Sequence, residues 1–254
     1  MKKIWLIIAI LLVLIVIARY RDNNDPALII SGLLCNGEIR GNAALDYRIN
    51  LFSVFPAGEA EFRDKKEEIF ENKKVYHLSA DAGTGKFVSR FFKARVVLDS
   101  YVDPQSNNPL FFSQKVFVPG KPDINKEIRY DQKQKIMLIS GSSREILADT
   151  QDPLSAMFNI RTMDFSKIKE FEMNINTNQK NYLLSARVCP KEITVAGKKY
   201  QLFIIDGEIK RRNKNPYHKT KLKITLLKQK ENIPLSVKVF SSGMLINAKL
   251  VEVR

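Results

Sequence analysis

A two-residue alternation of apolar and polar side chains runs through most of this chain and restricts its fold more than any other feature. In residues 45–51 the apolar side chains fall at the odd positions, and in residues 221–226 lysine or threonine alternates with leucine or isoleucine. Neighbouring residues of a β-strand point to opposite faces, so these runs predict strands with one buried and one solvent-facing side. Because amphipathic helices do not recur between the runs, we exclude a parallel α/β fold.

Glycine, proline and asparagine separate the runs, as the turns of an antiparallel meander do. A sheet of roughly ten or more antiparallel strands usually curls or closes on itself. We therefore predict a mainly β protein with one large curved antiparallel sheet, either a half-barrel or an open barrel. The predicted strands are residues 45–54, 75–81, 87–102, 110–118, 124–130, 135–140, 171–177, 182–188, 193–195, 199–210, 221–228, 233–240 and 244–253.

One short helix interrupts this pattern after residue 152. Asp152 is a residue type that caps free helical amides, and Pro153 suits the first helical position. Leu154, Met157 and Phe158 then fall on one helical stripe. A helix of two or three turns is not stable by itself in water, so we expect it to pack on the concave face of the sheet.

The amino-terminal segment is apolar without interruption from residue 4 to residue 18, with Lys2 and Lys3 before it and Arg19 after it. As a hydrophobic helix it would span roughly 22 Å, against a hydrocarbon core about 30 Å thick. The length fits both a signal peptide and a membrane anchor, and the lack of an Ala-x-Ala site favours an uncleaved anchor. We assign residues 1–21 as signal anchor or signal peptide, 22–34 as linker and 35–254 as a single antiparallel β domain.

The formal net charge is +15, from 42 basic and 27 acidic residues. Such an excess suits nucleic acid, an anionic membrane or envelope surface, or an acidic ligand, and it also fits a merely solubilising surface. An exported domain does not meet the genome, so we expect no nucleic-acid partner. We expect a periplasmic protein held in the inner membrane by residues 4–18; the oligomeric state stays open.

The sequence carries no recognisable catalytic or metal-binding motif. Two histidines and two cysteines are too few for a multi-histidine site or a cysteine cluster. The Gly-Thr-Gly-Lys stretch at residues 83–86 lacks the spacing of a phosphate-binding loop, and no Gly-x-Ser-x-Gly is present. We therefore expect no enzyme activity, metal or cofactor. A catalytic pair of carboxylates would have to come from Asp99, Asp103, Asp149 and Asp152.

Cys35 and Cys189 are the only cysteines. In an oxidising envelope they would be able to form one disulfide closing a long loop, and as isolated strand residues they would be small core side chains. Both alternatives stay open at this stage.

Two motifs are the most specific parts of the chain: Asp-Pro-Leu-Ser-Ala at residues 152–156 and Ser-Tyr-Val-Asp-Pro at residues 100–104. Together with residues 74–80, 195–200 and 233–235, they resemble the bacterial family called domain of unknown function 3108, from about residue 35 to the end. The resemblance implies an exported envelope protein. It also implies a long curved sheet similar to that of the lipoprotein carriers of the Lol system, and it supplies no catalytic residues.

Two functions fit these observations. In the first, a non-enzymatic envelope protein binds an apolar or amphiphilic ligand, such as a lipid or lipoprotein, on the concave face at Leu154, Met157 and Phe158. In the second, the protein is a structural or interaction module of envelope assembly, with a filled core and no ligand. The two functions are distinguished by whether the protein's own side chains fill the concave face.

Overall fold

The computed structural model describes residues 25–35, 44–177, 179–212 and 219–254. These residues form two helices, α1 (Pro26–Cys35) and α2 (Pro153–Thr162), and 14 strands. The strands are β1 (Leu45–Leu51), β2 (Phe55–Phe70), β3 (Lys73–Thr84), β4 (Arg95–Val102), β5 (Pro109–Phe117), β6 (Ile124–Asp131), β7 (Ile136–Ile139), β8 (Ser142–Glu145), β9 (Glu170–Thr177), β10 (Lys180–Val195), β11 (Lys198–Arg211), β12 (Thr220–Leu227), β13 (Ile233–Ser241) and β14 (Met244–Val253).

All 14 strands belong to one antiparallel sheet, which confirms the mainly β, antiparallel part of the predicted fold. Its order is β8-β7-β6-β5-β4-β3-β2-β1-β14-β13-β12-β11-β10-β9. Each strand pairs with its neighbour in the chain except where β8 precedes β9, and β1 pairs with β14. The sheet is therefore two meanders joined through the first and last strands, and the segment between β8 and β9 contains α2.

The sheet is not closed, but its edge strands β8 and β9 are bridged by the chain that follows β8. The backbone amide of Gln151 donates to the carbonyl of Asn174 in β9 at 2.8 Å, and the amide of Asn176 donates to the carbonyl of Gln151 at 2.8 Å. The side chain of Asn181 in β10 donates to the carbonyl of Glu145 in β8 at 3.1 Å. These bonds require the sheet to roll until its two edges are near each other.

The roll places α2 on the concave side. This helix packs against β3 and β4 in one half of the sheet and against β9 at the far edge of the other. Only the inside of a rolled sheet offers contact with strands so far apart in the sheet order. The predicted helix and its position are both present in the structure.

The alternation seen in the sequence gives most strands one buried, apolar face. Leu45 in β1 lies opposite Phe62 in β2, and Val188 in β10 lies opposite Ile205 in β11. These residues belong to two apolar clusters. The first includes buried residues of α1, β1 to β7 and the ends of β10 to β14, and the second lies on β9 to β12; α2 contributes to both.

Helix α1 corrects the assignment of residues 22–34 as a linker. Asp25 accepts a hydrogen bond from the backbone amide of Ala27 at 3.0 Å, and proline occupies the first helical position. Ile29, Ile30 and Leu33 are buried in the first apolar cluster. The fold thus has a second short helix, and it begins with the same Asp-Pro signature as α2.

The predicted strand from residue 87 to residue 102 is also corrected, because strand β4 begins only at Arg95. Residues 85–94 form a connection that contains a single turn of 3-10 helix, Val88–Arg90. No helix in the described residues has both the length and the apolar character to cross a membrane. The apolar run 4–18 and its predicted helix lie outside the described residues.

Candidate functional site

Helix α2 is fixed in the concave side by a buried amino-terminal cap. The carboxylate of Asp152 accepts hydrogen bonds from the backbone amides of Leu154 at 2.8 Å and Ser155 at 3.0 Å, and from the Ser100 hydroxyl of β4 at 2.6 Å. The Ser155 hydroxyl in turn accepts from the Asp152 amide at 2.9 Å. This capping box joins the helix start to the strand beneath it. Burial raises the pKa of Asp152, against these hydrogen bonds, which lower it.

The three predicted ligand-binding residues lie together on α2. Leu154 and Phe158 are only 5% and 8% exposed and belong to the first apolar cluster, where the Phe158 ring lies 5.7 Å from that of Tyr76 in β3. Met157 is partly buried against the second cluster. The helix therefore places the stripe between the two clusters, and protein side chains surround two of its three members.

Arg161, at the end of α2, forms a buried ion pair that sequence reasoning did not identify. The side chain is 1% exposed and bonds the Asp64 carboxylate of β2. Its Nε donates to the carbonyl of Asn232 at 3.1 Å, and its Nη2 lies 3.6 Å from the Glu231 carboxylate. The guanidinium also stacks over the Phe62 ring at 5.6 Å. Only the spacing of residue 161 on the helical stripe signals that this arginine points inward.

Burial raises the pKa of two acidic groups in and beside this ion pair. Burial raises the pKa of Asp64, and the Arg161 guanidinium opposes that rise. Burial also raises the pKa of Tyr47, whose hydroxyl donates to the carbonyl of Pro234 at 2.9 Å. Together these groups join α2, β1, β2 and the segment before β13. Because every charged member faces another protein group, the arrangement suits positioning rather than proton transfer.

The four candidate carboxylates do not converge. Asp152 is the helix cap on the inner side of β4, whereas Asp99 points to the outer face of the same strand and bonds His77. Asp103 accepts from the Ser106 hydroxyl at 2.8 Å within its own loop. Asp149 accepts from the side-chain amide of Asn108 at 2.9 Å. Each carboxylate thus has a local structural role.

The second notable polar cluster lies on the outer face around His77. Its Nε2 lies 2.8 Å from Asp99 and its Nδ1 lies 3.2 Å from Glu68, while the ring stacks on Tyr101 at 4.4 Å. The Ser113 hydroxyl is 3.5 Å from Asp99 rather than beside the imidazole. With both ring nitrogens occupied by carboxylates, this histidine is not arranged to activate the serine.

Two wide grooves cross the outer face of the sheet, with volumes of about 1,030 and 1,020 Å³. The first lies over β9 to β14, and the second lies over β1 to β5, β14 and the β5–β6 turn. Both are lined by charges of both signs, and many of these charges pair across strands. Arg254 bonds Asp46 at 2.7 Å in the second groove, and Lys223 lies 3.4 Å from Asp206 in the first. Neither groove reaches the stripe on α2.

Cys35 and Cys189 are both free and exposed, so the structure holds no disulfide between them. Within the part of the chain that the structure describes, no three histidine, cysteine, aspartate or glutamate residues are grouped to hold a metal ion.

Comparison with known proteins places these features in context. The family model described as "Protein of unknown function (DUF3108)" matches residues 46–243. No curated protein matches the chain in sequence. The solved structure of a β-barrel-like protein of domain of unknown function DUF1849 from Brucella abortus is similar, with a TM-score of 0.58, 11% identity, and coverage of 83% of this chain and 95% of that one.

A structure described as a "putative lipoprotein" from Parabacteroides distasonis has a TM-score of 0.33 and 9% identity, over 85% of this chain and 96% of that one. At these identities the similarity to the Brucella protein concerns the fold alone, and it agrees with a barrel-like sheet.

Proposed function

The chain belongs to the DUF3108 family of proteins of unknown function, and from this premise we propose that it is a cell-envelope protein that acts by surface contact around a filled interior, without catalysing a reaction. This is the structural or interaction module of the two functions considered from the sequence. The proposal accounts for a concave face that is occupied by the protein's own helix. It also accounts for four candidate carboxylates that each have a local structural role.

The observation that carries the proposal is the packing of α2. Leu154 and Phe158, the side chains that an acyl chain would have to touch, are 5% and 8% exposed. The helix is held at its start by the Asp152 cap and at its end by the Arg161 ion pair. Moving it to admit a ligand would leave the Asp64 carboxylate buried without its partner, which is energetically costly.

The envelope location is proposed from the amino-terminal sequence. The apolar run 4–18 between basic flanks is typical of a segment that targets or anchors a protein in the inner membrane. An export signal followed by one β domain is consistent with a periplasmic module.

Photolabelling tests the filled interior. The full chain would be reconstituted into vesicles containing a photoactivatable phospholipid, irradiated and digested, and the labelled peptides identified by mass spectrometry. We expect label in residues 4–18 and none in residues 153–162, because protein side chains already surround the stripe.

The matched control is Phe158→Ala, which removes a buried ring and opens space beside Tyr76. This variant should gain label in residues 153–162, which shows that the assay detects an interior ligand. Label at Leu154 and Phe158 in the wild-type protein would contradict the proposal.

The second candidate is the ligand-binding function, with an apolar or amphiphilic molecule such as a lipid or lipoprotein on Leu154, Met157 and Phe158. One observation favours it: Met157 is only partly buried, so the stripe keeps one side chain that a ligand is able to contact. Wild-type labelling of residues 153–162 is the result that would select this candidate.

A further inference from the structure

Exposed phenylalanines are concentrated at one end of the sheet. Phe91 is 81% exposed, and the others are between 45% and 61% exposed. All six follow or precede turns that lie at the same end of the strands, as the register shows: Gly58 lies opposite Thr84, and Leu51 lies opposite Ile246. We call this surface the aromatic end; its phenylalanines are Phe52, Phe55, Phe87, Phe91, Phe92 and Phe240.

The turns of the aromatic end are neighbours in space. The amide of Gly85 donates to the carbonyl of Ala57 at 2.9 Å, which joins the 85–94 connection to the start of β2. The amide of Phe52 donates to the carbonyl of Leu245 at 2.7 Å, which joins the β1–β2 turn to β14. The exposed side chains of Met244 and Ile246 therefore extend the same surface. Apolar patches of this kind mark interaction sites in folded proteins.

The 85–94 connection is an ordered platform. The Thr84 amide donates to the carbonyl of Ala94 at 3.0 Å, and the Ala94 amide donates to the Thr84 hydroxyl at 3.1 Å, so the connection is closed at its base. Its 3-10 turn brings the rings of Phe87 and Phe91 to 5.9 Å of each other. These rings are exposed by the local fold and not by a lack of structure.

The same platform carries only positive charge. Lys86, Arg90 and Lys93 lie within residues 85–94, and the segment contains no acidic residue. Among the described residues none of the three forms a salt bridge, although Lys93 also lines the second groove, where its neighbour Arg95 pairs with Asp81. Exposed aromatic rings beside unpaired basic residues suit the surface of an anionic bilayer. The rings are able to enter the boundary between headgroups and acyl chains, and the basic groups are able to bind the lipid phosphates.

We propose that the aromatic end is a membrane-contact surface that inserts Phe87, Phe91 and Phe92 into the interface of a bilayer containing anionic phospholipid. The proposal rests on the proposed function in one respect, namely that the domain acts through its surface. Beyond that function, it identifies the partner of this surface as a lipid membrane. The charge of residues 85–94 favours that occupant over an apolar face of a second copy, which would bring like charges together.

The opposite end of the strands differs in character. Its turns carry mainly polar residues, as in residues 103–108 and 131–135. Ile69, at the end of β2, is 67% exposed there. It provides a matched control, since it is as accessible as the phenylalanines but lies away from the aromatic end.

Tryptophan quenching by brominated lipid tests the proposal in the full chain. The only tryptophan of the chain, Trp5, would be replaced in the variant Trp5→Phe, and Phe91→Trp or Ile69→Trp would be added separately. Each protein would be reconstituted into vesicles of phosphatidylcholine with or without phosphatidylglycerol, with brominated acyl chains. We expect strong quenching of the tryptophan at 91, little at 69, and a several-fold loss of quenching without phosphatidylglycerol.

A second measurement isolates the charge. Lys93→Gln in the Phe91→Trp protein should require roughly fivefold more anionic lipid for half-maximal quenching, because each basic group near such a surface contributes about 1 kcal/mol. Circular dichroism would verify that both tryptophan variants are folded.

Three results would overturn the proposal: no quenching at 91, equal quenching at 91 and 69, or quenching that does not depend on anionic lipid. Self-association that disappears in Phe91→Ser, without quenching at 91, would assign the surface to a second copy instead. These outcomes are independent of photolabelling at α2, so the membrane surface and the filled interior are tested separately.

Discussion

Gly58 shows how closely two backbones approach in this sheet. A Cβ atom at this position would overlap the carbonyl oxygen of Gly83 on the neighbouring strand β3. Backbone atoms cannot rotate away as the end of a flexible side chain can, so even one methyl group requires the strands to separate. The residue lies in β2 shortly after the β1–β2 turn and opposite Thr84, which precedes the 85–94 connection, so its size affects how β2 and β3 present the aromatic end.

We predict that Gly58→Ala destabilises the protein by about 1–3 kcal/mol, as overpacking does in other proteins. The matched control is Gly32→Ala in α1, where no atom lies within 4 Å of the added Cβ. That change should be neutral or stabilising by up to about 1 kcal/mol, since alanine favours helix. Equilibrium denaturation with urea measures both, and a Gly58→Ala protein as stable as the wild type would contradict the close approach.

At the scale of single elements, α1 and α2 are alike in sequence but only α2 was predicted. Both begin with aspartate and proline, and both bury apolar residues four positions apart. The polar residues before Pro26 gave the appearance of a linker. A ten-residue helix gains most of its stability from packing, so the local sequence does not decide whether such a segment folds. The apolar ends of the sheet that cover α1 are distant in the chain.

The cap of α2 gives a prediction about pH. Burial raises the pKa of Asp152 above its ordinary value of 3.8, so the folded protein keeps this proton to a higher pH than the unfolded chain does. The resulting contribution to stability is fully present below a pH of about 3.8 and is lost as the pH rises through the folded-state pKa. We therefore expect the wild type to lose stability relative to Asp152→Asn as the pH rises from about 3.8 toward neutrality.

Thermal unfolding of both proteins over that pH range measures the difference. The asparagine amide keeps an oxygen for the helix amides and does not titrate. Asp152→Ala, which removes the cap itself, should be less stable than Asp152→Asn by about 1–2 kcal/mol at every pH, since neither side chain titrates. A wild-type curve that runs parallel to that of Asp152→Asn would show that burial does not raise this pKa.

At the scale of the whole molecule, the rolled sheet needs cross-links between its halves because its edge strands do not pair directly. Arg161 supplies one such link. Its ion pair with Asp64 reaches β2, and its bond to the carbonyl of Asn232 reaches the turn between β12 and β13. The side-chain amide of Asn232 in turn donates to the Arg161 carbonyl at 3.0 Å. One side chain of α2 thus holds separate parts of the sheet around the helix.

A double-mutant cycle tests this link. Arg161→Met alone should cost about 3–5 kcal/mol, because it leaves the Asp64 carboxylate buried without a cation. Adding Asp64→Asn should cost much less than the sum of the two single changes, since the uncompensated charge is then removed. Urea denaturation gives the free energies; additive costs would show that the pair is not coupled. An exposed pair, Lys199 and Glu192, provides the control, with an expected coupling below about 1 kcal/mol.

The alternation of side chains was enough to determine the mainly β class and the antiparallel sheet. It also gave the burial pattern of the first half of β12, but not that of the second half, where Thr225 and Leu227 are buried as well. The Asp-Pro start together with the apolar stripe of Leu154, Met157 and Phe158 located α2, whereas the same Asp-Pro start at residues 25 and 26 did not reveal α1. Other features depend on contacts between residues far apart in the chain. They include the bridging of β8 to β9, the ion pair between Asp64 and Arg161, and the collection of six phenylalanines at one end. Register between distant strands sets these positions, and a local pattern specifies which face a residue takes but not which distant residue it meets.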